Sequence, residues 1–220
     1  MPIRLNRFIA SATTLSRRAA DQAIADGRVL VNKLTPSTGQ AVESNDDVTL
    51  DGRSLTPPPS IVTVMLNKPV GYVVSRNGQG SHTIYELLPY EFQTLNPVGR
   101  LDKESSGLLL LSNDGELAQQ LTHPSYEKLK TYEVTLGQPL APLHRQMISD
   151  HGLMLEDGLS KLQLEQLQTE KNWRIQMHEG RNRQIRRTFE SLNYRVIKLH
   201  RTQFGTYDLG GLRSAAYRLV

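Results

Sequence analysis

The chain of 220 residues contains no cysteine, so it can neither close a disulfide nor build a thiolate metal site. No apolar run approaches the roughly 18 residues that crossing a bilayer takes, and a mean hydropathy of −0.43 is ordinary for a soluble chain. The opening residues, Met1-Pro2-Ile3-Arg4-Leu5-Asn6-Arg7, lack the apolar centre and small-residue cleavage site of a secretory leader. There is no glycine-rich phosphate loop, dinucleotide fingerprint or metal-ligand cluster. His82, His123, His144, His151, His178 and His200 fall at no metal-binding spacing. These absences point to a cytoplasmic protein without cofactor, metal or membrane association, for which nothing demands more than a monomer.

What the chain does have is basic charge in two places. The formal net charge is +4, by itself a weak hint of a polyanionic partner. Between residues 1 and 34, Arg4, Arg7, Arg17, Arg18, Arg28 and Lys33 face only Asp21 and Asp26. Between 178 and 201, Arg181, Arg183, Arg186, Arg187, Arg195, Lys198 and Arg201 face only Glu179 and Glu190. Together the two stretches hold more positive charge than the whole chain, which favours a phosphate backbone as partner over two solvated helix faces.

The segment Ser54-Leu55-Thr56-Pro57-Pro58-Pro59-Ser60 reads as a stiff linker, because consecutive prolines fix φ and disfavour helix before them. It divides the chain into residues 1–57 and 58–220. In the first part Leu5, Phe8 and Ile9 recur at helical spacing, and Ser16 caps a second helical pattern that stops at Gly27. Short strands follow at 29–31 and 47–50. In the second part, residues 61–66, 108–111, 132–136 and 173–177 read as strands, and 84–88, 115–121 and a segment from about Asn182 to Leu192 as helices. The expected class is α+β: a small α/β module, then a domain on a mixed, mainly antiparallel sheet flanked by helices.

The first part resembles the S4 RNA-binding domain in Arg4-Leu5-Asn6-Arg7-Phe8-Ile9, Ser16-Arg17-Arg18-Ala19-Ala20 and Gly27-Arg28-Val29-Leu30-Val31-Asn32. The resemblance implies RNA contacts by Arg4, Arg7, Arg17, Arg18 and Lys33. Lys33-Leu34 stands where a glycine commonly follows the asparagine.

The candidate chemistry centres on the run Gly99-Arg100-Leu101-Asp102-Lys103-Glu104-Ser105-Ser106-Gly107-Leu108-Leu109-Leu110-Leu111. Asp102 sits in a glycine-flanked turn ahead of an apolar strand, where an aspartate commonly caps the turn with its own side chain. On an extended backbone Arg100 and Asp102 project to one face and Leu101 to the other. Tyr132 stands at a strand start, where its ring can pack while the hydroxyl keeps a polar partner. Residues 178–187 form a glycine turn opening a basic helix, suited to anion binding.

Leu66-Asn67-Lys68-Pro69-Val70-Gly71-Tyr72, the run 99–115, Lys130-Thr131-Tyr132, the stretch 179–187 and Leu199-His200-Arg201 together resemble the RsuA/RluB/RluE/RluF family of pseudouridine synthases. The resemblance implies isomerisation of a uridine within RNA, chiefly ribosomal RNA, with tRNA as the alternative. Asp102 is then the catalytic carboxylate, acting as nucleophile at C1′ or as a base. It must remain charged beneath a bound base, and the family assigns that support to Arg186, with Arg187 as the near alternative. Tyr132 lies against the uracil and can exchange a proton, Leu199 packs near the ring, and Arg100 holds the flipped nucleotide or fills its vacated place. Arg181, Arg183 and Arg187 complete the expected substrate contacts. The competing class is a non-catalytic RNA-binding or ribosome-assembly protein, which would have no need of Asp102 and Tyr132.

Overall fold

The computed structural model describes residues 2–13, 15–43, 45–56 and 61–220; the prolines of the expected linker lie outside the described residues. Contacts divide the chain between Ile61 and Val62, four residues beyond the boundary expected from sequence.

The first unit runs β1 (Ile3–Arg4), α1 (Leu5–Ala12), α2 (Arg17–Ala25), β2 (Val29–Val31), β3 (Ala41–Val42), β4 (Val48–Leu50) and β5 (Arg53–Ser54). Leu5, Phe8 and Ile9 form one buried stripe of α1, packed with Ala20 and Ala23 of α2 and with Val29, Val31, Val42 and Val48. Ser16 Oγ accepts the Ala19 amide at 3.2 Å, satisfying one of the donors that a helix start leaves open. Strands β2, β4 and β5 form one antiparallel sheet, and β1 pairs with β3. After β2, Asn32 and Lys33 take φ of 50° and 67°. Lys33 thus keeps the left-handed conformation a glycine would adopt freely, at roughly 1–2 kcal/mol for a residue carrying Cβ.

The second unit continues with β6 (Thr63–Lys68), β7 (Asn96–Val98), β8 (Ser106–Ser112), α3 (Gly115–Thr122), β9 (Lys130–Leu136), α4 (Pro142–Gln146), β10 (Leu153–Leu155), β11 (Gly158–Ser160), β12 (Gln163–Gln166), β13 (Asn172–Met177), α5 (Gln184–Glu190), β14 (Val196–Phe204), β15 (Tyr207–Asp208) and β16 (Tyr217–Leu219). Its nine-stranded sheet has the order β12-β13-β9-β14-β8-β6-β16, with β7 also on β8 and β15 also on β14. The pair β8–β14 is parallel and the other described pairs of this sheet are antiparallel. No helix among the described residues is long and apolar enough to cross a membrane.

The four consecutive leucines of β8 are all inaccessible because both faces of the sheet are covered. Leu109 and Leu111 join one core with Val64, Leu66, Val134 and Trp173, whereas Leu108 and Leu110 join another with Met65, Val98 and Phe204. A strand buried on both sides loses the alternation of a half-exposed one. Two expected helices are adjusted: 84–87 is a single 3-10 turn closed by a Thr83/Glu86 capping box, and the basic helix begins at Gln184. The hairpin β10–β11, of two three-residue strands, was not expected from the sequence.

Two features hold the 99–105 turn beside β8. Gly107 has φ of +107°, and a Cβ there would meet Arg201 O at 2.2 Å and Arg201 N at 2.6 Å, so only glycine lets β14 approach in parallel. Opposite Gly107 on β6 lies Lys68, fully buried. Its Nζ donates to the carbonyls of Pro69, Asp102 and Ser105 at 3.1, 3.0 and 2.7 Å. Burial pulls the Lys68 pKa down to about 8, against the opposing pull of Asp102 and Glu104.

Gly107→Ala is expected to destabilise the second unit by about 2 kcal/mol or more, from overpacking and the strained φ together, as read by urea denaturation. Lys68→Met leaves three buried carbonyls without their donor, at about 1–3 kcal/mol each. Because the folded pKa lies below the unfolded value of 10.5, the unfolded chain binds more protons between about pH 8 and 10.5, and Lys68 makes stability rise with pH there. Denaturation of wild type and Lys68→Met across that window should show a steeper rise in the wild type than in the variant.

Candidate active site

Between β7 and β8 the chain turns at Gly99, which has φ of +73°, and lays out residues 100–105 in partly extended form. Leu101 packs into the core, while Arg100 and Asp102 line one cleft of about 580 Å³. This is the alternation expected from their two-residue spacing. The Asp102 carboxylate accepts no hydrogen bond from a described residue, so it does not cap its own turn; the turn is closed instead by the Ser105 amide on the Asp102 carbonyl at 3.1 Å. The carboxylate is left one-third exposed toward the cleft.

Other strands bring the expected partners to the same place. Tyr132 of β9 and Leu199 of β14 both line the cleft and are nearly buried. The register sets Tyr132 opposite Arg201 and Leu199 opposite Val134. The far wall is the loop 177–183 and the start of α5, including Arg181, Arg183 and Gln184.

The cationic partner of Asp102 differs from the expectation. Among the described residues it is Arg183, whose Nη1 lies 3.8 Å from Asp102 Oδ2 and 3.1 Å from Glu104 Oε2. Arg183 sits at the N-cap of α5 with φ of +47°, ahead of the first helical turn. Arg186 makes no ion pair with Asp102: it is buried under the loop, with Nη1 on the Val196 carbonyl at 3.0 Å and Nη2 on the Glu104 carbonyl at 3.0 Å and Ser105 Oγ at 3.4 Å. Burial lowers the Arg186 pKa, while the charges of Asp102 and Glu104 oppose that shift. Arg186 therefore lies beneath the turn, holding its backbone while its charge still interacts with those of Asp102 and Glu104.

Arg187 is the second correction. One helical step turns it away from the cleft, and Asp157 at the β10–β11 turn takes its Nη1 and Nη2 at 3.1 and 2.6 Å. Arg181 does line the cleft, yet its guanidinium is already committed to the Asp157 side chain at 2.9 Å and to the carbonyls of Asp157 and Leu159, both at 2.8 Å. Both arginines, expected to contact substrate, brace the far wall against the hairpin. Nothing local in the sequence marks Asp157 as their partner, because it lies 24 and 30 residues upstream.

Sequence reading also missed Lys68, which anchors the Asp102 backbone, and Lys130 and Arg201, which line the cleft. Lys68, Lys130 and Arg201 stood in runs already singled out, and all three lie within strands of the structure, Lys68 and Lys130 outside the strand bounds expected from sequence. In the first unit Arg4, Arg17, Arg18 and Lys33 are exposed and Arg7 is half-buried.

Comparison with known proteins places the chain among similar ones. The pattern of the RNA pseudouridylate synthase family matches residues 62–191. The ribosomal large subunit pseudouridine synthase B of Bacillus subtilis (strain 168) is 37% identical over 98% of this chain and 91% of its own. Its namesake in Xanthomonas axonopodis pv. citri (strain 306) is 39% identical over 94% of this chain. This chain spans only 40% of the length of that relative. A crystal structure of a pseudouridylate synthase superimposes with a TM-score of 0.70 at 31% identity, covering 99% of this chain and 96% of that one. With the family's pattern matched over residues 62–191 and a relative matched along nearly its whole length, the chain belongs to the RNA pseudouridylate synthase family.

Proposed function

We propose that this protein isomerises a uridine in ribosomal RNA to pseudouridine, with Asp102 as its catalytic carboxylate. The observation that carries the reading is the uncapped Asp102, held by its backbone and facing a cleft walled by Tyr132, Leu199 and four arginines. A carboxylate spent on capping would need no such room. The names of the relatives support ribosomal RNA as the substrate.

The reaction breaks the N1–C1′ bond, turns the uracil and joins C5 to C1′; the proton lost from C5 is balanced by the one gained at N1. No redox partner or energy source is required. Asp102 serves either as nucleophile at C1′ or as base at the sugar, and Arg183 supplies the adjacent positive charge. Arg186 is a positioning residue, fixing Glu104 and Ser105 from below. Tyr132 lies against the uracil and exchanges a proton with it, and Leu199 packs on the ring. Extruding a stacked uridine costs about a few kcal/mol, which Arg100 offsets by filling the vacated place or holding the flipped nucleotide.

Residues 1–57 are proposed to be an S4 RNA-binding domain. Its two helices and the turn after β2 would present Arg4, Arg7, Arg17, Arg18 and Lys33 to structured RNA. Their contribution is electrostatic and hence sensitive to salt.

Asp102→Asn should retain RNA affinity within about twofold and form no pseudouridine, as read by nucleotide-resolution mapping of ribosomal RNA from cells carrying the variant; turnover by that variant would refute the assignment. The double variant Arg17→Gln/Arg18→Gln is expected to weaken binding at least about fivefold and to flatten its salt dependence. Unchanged filter-binding curves from 50 to 200 mM salt would remove the first unit from RNA recognition.

A further inference from the structure

The isomerisation leaves two cations of the cleft without a task. Lys130 opens β9 and Arg201 lies in β14, and the ladder sets Lys130 opposite Phe204 and Tyr132 opposite Arg201. Both cations face one ring: Arg201 Cζ is 4.6 Å and Lys130 Nζ 5.5 Å from the Phe204 centroid. Lys130, Arg201 and Phe204 line the same cleft as Asp102.

Neither cation forms an ion pair with a described residue. Lys130 Nζ donates to the carbonyl of His178 at 3.0 Å and, more weakly, to that of Lys128 at 3.5 Å. Arg201 is 2% exposed; its Nε donates to the Leu108 carbonyl at 2.8 Å, and its Nη2 is buried without an acceptor. Glu179, the one acid whose charge reaches Lys130, is engaged by Arg181 at 3.3 Å and by Gln184 at 3.1 Å. Burial, and then the charge of Arg201, hold the Lys130 pKa below the usual lysine value. Two like charges sharing one ring, with an N–H left over, are arranged for an oxyanion that arrives with a ligand.

Spacing selects the oxyanion. The Lys130 rung lies two residues from the Tyr132 rung, about 7 Å along the strand, which is within the span of one nucleotide. A base against Tyr132 therefore brings its own flanking phosphate to Lys130. The geometry points to Lys130 and Arg201 as the seat of a backbone phosphodiester of the substrate RNA, flanking the nucleotide whose base meets Tyr132. The inference rests on the reading of the chain as an RNA uridine isomerase and adds to it the group by which the reacting nucleotide is gripped. Lys130 supplies a compact point charge and Arg201 a directed N–H.

The test uses the full chain and unmodified ribosomal RNA transcribed in vitro. Losing one phosphate contact should lower the slope of log affinity against log salt by about 0.7–0.9 in Lys130→Gln, with Lys130→Arg restoring it. The loss in turnover should fall on KM, roughly tenfold, more than on kcat. Because a variant can fail for lack of folding, the wild type is probed as well. Acetylation of Lys130 by an N-hydroxysuccinimide ester, read by mass spectrometry, should slow at least fivefold when the RNA is bound. Equal slopes in wild type and Lys130→Gln, or acetylation undiminished by bound RNA, would overturn the seat. Protection by inorganic phosphate alone, at the phosphate concentration of the RNA, would overturn its assignment to RNA. Slope and protection are read from binding and pseudouridine from mapping, so a wild type that shows the first two without the third refutes the isomerase reading and leaves the phosphate seat standing.

Discussion

One rung of the large sheet carries the site: Lys68 on β6, Gly107 on β8 and Arg201 on β14 stand side by side. A buried ammonium is costly, and this one is tolerated because three carbonyl oxygens accept from it in place of water. Two of those oxygens belong to Asp102 and Ser105, so solvating the lysine and fixing the turn are the same act. The middle member of the rung has no side chain because β14 passes where Cβ would be. Remove either condition and the acid loses the backbone position from which it faces the cleft.

The electrostatics of the cleft follow a division of labour among guanidinium groups of similar sequence surroundings. Arg183, placed before the first turn of α5, reaches the acids directly. Arg186, inside the helix, acts on the backbone beneath them. Arg181 and Arg187 converge on Asp157, whose pKa is held low chiefly by its hydrogen bonds from Arg187. Position relative to the helix start decides among these roles, since each residue rotates by about 100° about the helix axis.

Local pattern carried the parts of the structure that local pattern determines. The stripe Leu5, Phe8 and Ile9, the Ser16 cap, the buried leucine strand and the shared side of Arg100 and Asp102 all depend on neighbours within a few residues, and the sequence shows them. The remainder depends on contacts across the chain. Arg186 meets Glu104 over 82 residues and Arg201 meets Leu108 over 93, distances at which no periodicity speaks. For that reason the hold of Arg186 on the 104–105 backbone, the pairing of Arg187 with Asp157 and the anchoring role of Lys68 were not visible in the sequence. Gly107 was visible in its motif, but its purpose needed the strand that lies against it.

The parallel pairing of β8 with β14 also governs when the site exists. Antiparallel neighbours can close through a short turn, whereas this pair waits for the intervening helices and strands to be made and placed. Until β14 docks, Tyr132 has no Arg201 across from it, Leu199 is elsewhere, and the turn holding Asp102 lacks its wall. In a growing chain the turn holding Asp102 thus gains its wall only once nearly all of the second unit has been made, because β14 ends at Phe204 of 220 residues.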